Sequence, residues 1–129
     1  MSRVCLVDDD ILVRDALALG LQDAGYEVLT APGAAAGLDL IRRQSFDALI
    51  TDINMPGTDG VQLISQARAA FPDLPIIAIS GATEVEGRTL GEAAAYLGAS
   101  ASLVKPFRAR QLAEVLDRLL ADRRESPTG

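Results

Sequence analysis

The chain has 129 residues, of which 49% are hydrophobic and 23% are charged, as in an ordinary globular protein, and that length predicts one domain with a sizeable core. The net charge of −6 argues against nucleic-acid binding by this domain, which would need a basic surface. No apolar run approaches the roughly 20 residues of a membrane-spanning helix, so we expect no membrane association.

The chain contains one cysteine and no histidine. Cys5 lies in an apolar segment, where we expect a buried, inert thiol, and a lone cysteine is typical of a reducing compartment. The N-terminal apolar segment is too short for a signal peptide and is followed by three aspartates, so we expect a cytoplasmic protein. Without histidine, a bound metal should be a hard ion with oxygen ligands.

Short apolar segments alternate along the chain with segments of helical periodicity. Five strands are predicted, at 4–7, 26–30, 46–51, 74–79 and 101–104. Five helices are predicted, at 12–24, 31–44, 61–71, 84–97 and 112–120. Asp10 is placed to cap the first helix, and Gly25 is placed to end it. The alternation predicts a parallel sheet with helices on both faces and right-handed crossovers.

The second and fourth predicted helices differ from the others in composition. The residues of the alanine-rich second helix that should face the core are Ala35, Leu38 and either Leu40 or Ile41. The fourth helix contains Gly87 and Gly91, each of which costs about 1 kcal/mol relative to alanine. We therefore expect the fourth helix to be the least stable one. Residues 1–122 should form the domain, and 123–129 a disordered tail or the start of a linker.

Polar residues lie where the predicted strands end. The acid Asp52 closes an apolar strand just before Pro56, Gly57 and Gly60 break it, and the ends of the other strands carry Asp8 with Asp9, Thr30, Ser80 and Lys105. Because parallel strands share one carboxyl edge, these groups should converge, and ligands bind where the strand order reverses. In the order 2-1-3-4-5, Asp8, Asp9 and Asp52 would lie side by side, with Thr30 on an edge strand.

Such a cluster has the chemistry for phosphoryl transfer. Three carboxylates repel one another unless a cation joins them, and Mg²⁺ typically takes carboxylates, waters and a phosphate oxygen. A carboxylate can act as a nucleophile and form an aspartyl phosphate, while Lys105 and Ser80 can contact phosphoryl oxygens. Taken singly, each residue has an ordinary explanation, as a turn acid, a solvated strand end or a loop hydroxyl.

Four segments together resemble the receiver domain of bacterial two-component response regulators. They are Val7-Asp8-Asp9-Asp10, Asp52-Ile53-Asn54-Met55-Pro56-Gly57-Thr58-Asp59-Gly60, Ile79-Ser80-Gly81 and Lys105-Pro106-Phe107. The resemblance covers residues 3–120 and implies a flavodoxin-like, doubly wound five-stranded parallel sheet of order 2-1-3-4-5 with five helices.

The resemblance also implies roles for individual residues. Asp52 would be the phosphoacceptor, with Lys105 pairing with the phosphate and Ser80 as the switch hydroxyl. Mg²⁺ would be bound by Asp9, by Asp8 directly or through water, by Asp52, and by the backbone carbonyl of Asn54. The Lys105–Pro106 bond would be cis.

The resemblance fails at the position three residues before the lysine. Family members often carry Tyr or Phe there, with a ring that turns inward on activation, whereas this chain has Ser102. We therefore hypothesise that output relies on the loop after Ser80 and on the glycine-containing fourth helix.

By resemblance, the chain is a phosphorylation-activated signalling switch and not an enzyme, apart from phosphotransfer to itself and slow dephosphorylation of itself. A sensor histidine kinase or histidine phosphotransfer protein would be the donor. An output protein or effector domain would read a surface made by helix 4, strand 5 and helix 5.

Two other classes stay open on the residues alone. A Mg²⁺-dependent phosphohydrolase working through an aspartyl phosphate would commonly need a second acid two residues after the nucleophile, where this chain has Asn54, and no histidine could replace it. A phosphate-independent scaffold would not need the intact acids.

Overall fold

The computed structural model describes residues 2–54, 60–85 and 87–125, with the side chains of Arg124 and Glu125 left undescribed. Strands and helices alternate within those residues. In chain order they are β1 (Arg3–Val7), α1 (Ile11–Asp23), β2 (Glu27–Ala31), α2 (Ala34–Arg43), β3 (Ala48–Asp52), α3 (Gly60–Ala70), β4 (Ile76–Ser80), β5 (Glu84–Val85), β6 (Arg88–Thr89), α4 (Leu90–Leu97), β7 (Ala101–Val104) and α5 (Ala109–Glu125).

Five strands form a parallel sheet in the order β2-β1-β3-β4-β7. Since β7 is the fifth strand predicted from the sequence, this is the predicted order 2-1-3-4-5, and the predicted doubly wound fold is confirmed. The order reverses between β1 and β3, where Val7 pairs with Thr51. The residues that follow this pair, Asp8 and Asp52, therefore lie next to each other at the carboxyl edge of the sheet.

The core lies in two layers, one on each face of the sheet. Alternate residues of β1 point to opposite faces, so that Cys5 and Val7 pack with α2, α3 and α4, while Val4 and Leu6 pack with α1 and α5. Burial raises the pKa of the Cys5 thiol to about 12, as expected for an inert core thiol. None of the described helices is both long and apolar enough to cross a membrane.

The predicted ends of the first helix are confirmed. The Asp10 carboxylate accepts hydrogen bonds from the backbone N–H groups of Leu12 and Val13, at 3.0 and 3.2 Å. Gly25 follows the helix with a φ of +99°, a conformation that glycine adopts without strain. Asp10 thus caps α1 directly after the two aspartates of the predicted site.

The predicted helix at 84–97 is wrong in its first half. Glu84 and Val85 instead pair with Thr89 and Arg88 in a small antiparallel hairpin, and α4 begins only at Leu90. Two local features oppose a longer helix. Gly87 has a φ of +80°, and Thr89 forms a capping box with Glu92 that fixes the start of α4.

The predicted inward face of α2 needs a correction at Ala35, which is exposed. The helix begins at Ala34, and its buried residues are Gly37 and Ile41. Ala34, Leu38 and Leu40 are partly buried against the same core. Gly37 was overlooked because it has no side chain, yet a Cβ there would lie 2.6 Å from Cγ2 of Val7. Close helix–sheet packing needs the glycine at this position.

The last helix extends beyond its apolar stripe. Because the stripe ends at Leu120, the sequence pattern predicts a tail from residue 123. The helix α5 instead continues to Glu125. Residues 126–129 lie outside the described part of the chain. The Lys105–Pro106 peptide bond is cis, as the resemblance implies.

Candidate functional site

Two buried carboxylates lie side by side at the carboxyl edge of the sheet. Asp8 follows β1 and is fully buried, and Asp52 closes β3 with 4% of its surface exposed. Each accepts a local backbone hydrogen bond, from the N–H of Asp10 to Asp8 and from the N–H of Asn54 to Asp52, both at 2.9 Å. Two neighbouring anions removed from water need a cation between them.

Lys105 supplies that cation. Its Nζ lies 2.9 Å from Oδ2 of Asp8 and 2.7 Å from Oδ2 of Asp52. Partial burial lowers the pKa of Lys105, but the hydrogen bonds and negative charges of Asp52 and Asp8 outweigh it, so the net pKa lies above its ordinary value. The ammonium group is therefore charged at neutral pH.

The sheet positions Lys105 next to the acids. β7 pairs with β4, with Ser80 opposite Val104, and the Lys105 N–H donates to the Ser80 carbonyl at 2.7 Å. Lys105 is also the only lysine among the chain's 12 basic residues. That single occurrence, at a strand end, is itself a sequence signal for a functional lysine.

A third acid, Asp9, completes the cluster on its exposed side. One carboxylate oxygen from each of Asp8, Asp9 and Asp52 lies within 4.8 Å of the others. Three hard oxygen ligands, two of them buried and one open to solvent, suit a divalent cation such as Mg²⁺, which keeps some of its waters. We call Asp8, Asp9, Asp52 and Lys105 the acid–lysine cluster.

Ser80 connects the cluster to two loops. Its fully buried hydroxyl oxygen accepts hydrogen bonds from Nδ2 of Asn54 at 2.9 Å and from the N–H of Ala82 at 3.0 Å. The side chain of Asn54 is thus committed to Ser80. Its backbone carbonyl stays a predicted metal ligand.

Two features near the cluster were missed by the sequence argument. Arg14, which the periodicity of α1 places on the outer side, is half-buried and donates from Nη1 to the Asp8 carbonyl at 3.1 Å, and its Nε is buried without a hydrogen-bond partner among the described residues. A Cβ on Gly60 would lie 2.1 Å from the Asp52 carbonyl oxygen. Gly60 therefore lets α3 begin against the end of β3.

The structure thus brings together Asp8, Asp9, Asp52 and Lys105, with Ser80 and Asn54 joined to them through the end of β4 and the backbone after Asp52. The rest of the motif, from Met55 to Asp59, lies outside the described residues, and so do the strand-breaking residues Pro56 and Gly57. The arrangement offers buried carboxylates, a positive charge held beside them and a buried hydroxyl, which are groups that phosphoryl transfer uses.

Comparisons with known proteins agree on one family. A sequence model of the response regulator receiver domain matches residues 4–117. Response regulator protein FleR of Pseudomonas aeruginosa is 37% identical over 117 residues, which are 91% of this chain and 24% of that protein. Transcriptional regulatory protein PrrA of Mycobacterium tuberculosis is 40% identical over 119 residues, 92% of this chain and 48% of that protein. The chain spans about a quarter of the length of FleR and about half of the length of PrrA.

Solved structures give the same result. Chemotaxis response regulator CheY4 of Vibrio cholerae matches with a TM-score of 0.82 at 34% identity, covering 92% of this chain and 98% of that one. A CheY-like receiver domain protein from Methanospirillum hungatei matches with a TM-score of 0.88 at 29% identity, covering 96% and 97%. The fold and the order of its strands are thus those of these proteins.

Proposed function

The chain belongs to the response regulator receiver domain family of two-component systems, and from that premise we propose that it is a phosphorylation-activated switch. Asp52 accepts a phosphoryl group in a Mg²⁺-dependent reaction, and the modified domain relays this state to an output partner. The observation that carries the proposal is the contact of one lysine with two buried carboxylates, at 2.9 and 2.7 Å, beside a third acid.

The transfer itself needs few groups. A carboxylate oxygen of Asp52 attacks the phosphorus of a phosphohistidine, a P–O bond forms as the P–N bond breaks, and the departing imidazole takes a proton from solvent. Charge neutralisation and positioning dominate this kind of reaction. Lys105 already lies 2.7 Å from Asp52, so its charge can follow the developing negative charge on the phosphoryl oxygens.

Asp8, Asp9 and Asp52 would hold the metal ion, together with the backbone carbonyl of Asn54. When bound, the ion neutralises the carboxylates and the phosphoryl oxygens that they would otherwise repel. The fully buried Ser80 hydroxyl donates to a phosphoryl oxygen once the group is present.

Lasting modification, and not turnover, distinguishes this proposal from a phosphohydrolase. A second acid two residues after Asp52 would supply general acid–base catalysis, but Asn54 stands there and its side chain donates to Ser80 at 2.9 Å. The family comprises signalling domains and regulators, not classical enzymes. We propose that a sensor histidine kinase or histidine phosphotransfer protein donates the phosphoryl group to this chain.

The test is incubation with a small acyl phosphate and Mg²⁺, followed by intact mass measurement. We expect a gain of one phosphoryl group that depends on Mg²⁺ and is absent in Asp52→Asn, which keeps the size of the side chain and an oxygen for the Asn54 N–H. The matched control is Asp47→Asn, which changes an acid at the opposite end of β3, where its carboxylate accepts from the Arg3 N–H.

Three results would contradict the proposal. Release of phosphate from diverse monoesters over many turnovers would indicate an enzyme. No modification with any donor would indicate a phosphate-independent scaffold. Unchanged modification of Asp52→Asn would place the phosphoryl group elsewhere.

A further inference from the structure

β7, the strand on which family members often carry an aromatic switch residue, has no aromatic side chain at that position in this chain. Ser102 on β7 is small and half-buried, and it faces a glycine, since a Cβ on Gly91 would lie 3.8 Å from the Ser102 Oγ. Neither side of this contact has a ring whose rotation could displace α4. A signal from Asp52 to α4 must therefore use other contacts.

A continuous set of hydrogen bonds leads from Ser80 to α4. The Ser80 Oγ holds the N–H of Ala82 at 3.0 Å, and the carbonyl of Thr83, one residue later, accepts from the N–H of Leu90 at 2.9 Å. The loop between β4 and β5 is thus bonded to the site at one end and to the first residue of α4 at the other. Two hydrogen bonds and one short loop therefore connect the Ser80 hydroxyl to α4.

The hairpin contacts α4 a second time, along the length of the helix. Arg88 on β6 places its guanidinium carbon 4.6 Å from the centroid of the Tyr96 ring, which is cation–π distance. Tyr96 is 76% exposed, and Arg88 is also exposed. Because Arg88 directly precedes the capping residue Thr89, this contact ties the entry of α4 to its last turn.

The surroundings leave room for this contact to open. A cleft of about 440 Å³ lies between α3, the hairpin and α4, lined by Val61, Val85, Arg88, Ala93, Tyr96 and Leu97. α4 has only eight residues, and an exposed cation–π contact is weak enough to break at modest cost.

We propose that the Arg88–Tyr96 contact is a latch that holds α4 in its unphosphorylated position and that modification of Asp52 opens it through Ser80. The proposal rests on the proposed function of Asp52. When the Ser80 side chain rotates about its Cα–Cβ bond to bring its hydroxyl to a phosphoryl oxygen, its oxygen moves away from the N–H of Ala82. The loop then shifts, the Thr83–Leu90 bond carries the shift to β6, and Arg88 leaves the face of the Tyr96 ring. The ring face that Arg88 had covered, next to the cleft, then becomes the apolar feature that the output partner reads.

The side chain of Arg88 reports directly on the latch in nuclear magnetic resonance spectra. A guanidinium group over an aromatic face has a ring-current shift at its Nε–H. We expect that shift in the unmodified chain and in Tyr96→Phe, which keeps a ring. We expect it to be absent in Tyr96→Leu. On addition of acyl phosphate and Mg²⁺ it should move to the Tyr96→Leu position, and in Asp52→Asn it should not move.

Amide exchange supplies a second, independent readout. Loss of the latch in unmodified Tyr96→Leu should make the Leu90 amide exchange about 2- to 5-fold faster, the factor that corresponds to an exposed cation–π contact. Arg118→Gln, which removes an exposed charge on α5, is the matched control and should leave that rate unchanged.

Intact mass measured on the same samples separates the two proposals. A complete mass gain with an unmoved Arg88 signal, or a Leu90 exchange rate that is equal in Tyr96→Leu and Tyr96→Phe, would overturn the latch and leave the proposed function standing. Failure to gain mass with any donor would overturn both.

Discussion

The acid–lysine cluster and the segment formed by the hairpin and α4 are stabilised in different ways. The cluster is built from strand ends, with Asp8 fully buried, Asp52 4% exposed and both acids within 2.9 Å of one lysine nitrogen. The hairpin has strands of two residues, and Arg88 and Tyr96 meet at the surface. The chain thus fixes its reactive groups in the core and leaves a weakly held element beside them, as elements that move in regulation require.

The substitution Lys105→Met should have the largest effect on this difference, a loss of unfolding free energy. The variant keeps much of the stem but leaves Asp8 and Asp52 buried without their cation. Removing one partner of a buried ion pair costs roughly 3–5 kcal/mol, and we expect about 3 kcal/mol here because the cluster opens to solvent at Asp9. Urea unfolding at pH 7 without divalent ions measures the loss.

The control is Arg118→Met, which removes an exposed cation on α5 and should change the unfolding free energy by less than about 0.5 kcal/mol. Equal losses in the two variants would mean that the cluster is as loosely held as the surface. The unfolding free energy of Lys105→Met should rise again when Mg²⁺ replaces the missing positive charge between the acids.

Mg²⁺ should stabilise the cluster by a slightly smaller amount. A ligand that binds only the folded chain, at 100 times its dissociation constant, adds about 2.7 kcal/mol to the unfolding free energy. We expect a rise of this size in the wild-type chain and none in Asp9→Ala. Thermal unfolding with and without Mg²⁺ measures it, with Asp23→Ala, an exposed acid at the far end of α1, as the control.

A wild-type melting temperature that did not rise with Mg²⁺ would contradict the metal site. A rise that persisted in Asp9→Ala but not in Asp52→Asn would leave the site in place and remove Asp9 from it. Among the residues that the structure describes, the hairpin and α4 contribute no acid to the cluster, so their exchange rates should change little with Mg²⁺ alone.

Much of the sheet and its reactive edge could be predicted from sequence, for a physical reason. Strands buried on both faces give short, continuous apolar runs, and parallel topology brings their carboxyl ends to one edge. Asp8, Asp52 and Lys105 are therefore found from their places along the chain. The strand order itself came from the resemblance to the receiver family, since periodicity does not specify which strands are neighbours.

The hairpin could not be predicted in the same way. Its geometry depends on one positive φ, at Gly87, and on the capping box of Thr89 and Glu92, and the apolar pattern does not reveal it because residues 84–89 contain only one apolar residue, Val85. Arg14 was missed for a related reason, because a charged residue on a helix is assigned to the solvent face unless a specific acceptor, here the Asp8 carbonyl, is known. Local hydrogen bonds override periodicity at both places.

Thr89→Ala tests the weakly held segment formed by the hairpin and α4, and its effect should be smaller than that of Lys105→Met or of Mg²⁺. It removes the capping box of α4, which is worth about 1 kcal/mol. The amides of Glu92 to Leu97 should then exchange roughly fivefold faster, and in the wild-type chain they should already exchange faster than those of β3. Thr89→Ser, which keeps a hydroxyl acceptor, should restore the rate. Protection in α4 equal to that in β3 would remove the proposed difference between the two regions.

The smallest effect is the loss of the Lys105 contribution in alkali. Because the acids hold the pKa of Lys105 above its ordinary value, folding favours the charged form. The stabilisation is therefore fully present below the unfolded pKa of about 10.4 and falls as the pH rises through the folded pKa.

The difference in unfolding free energy between wild type and Lys105→Met should be constant from pH 7 to 9 and narrow above pH of about 10.4. Since Lys105 is the only lysine and the two proteins differ only at that position, the narrowing can be assigned to it. A gap that already closed below pH of about 9 would mean that burial outweighs the two acids and that the ammonium is held less firmly than the distances of 2.7 and 2.9 Å imply.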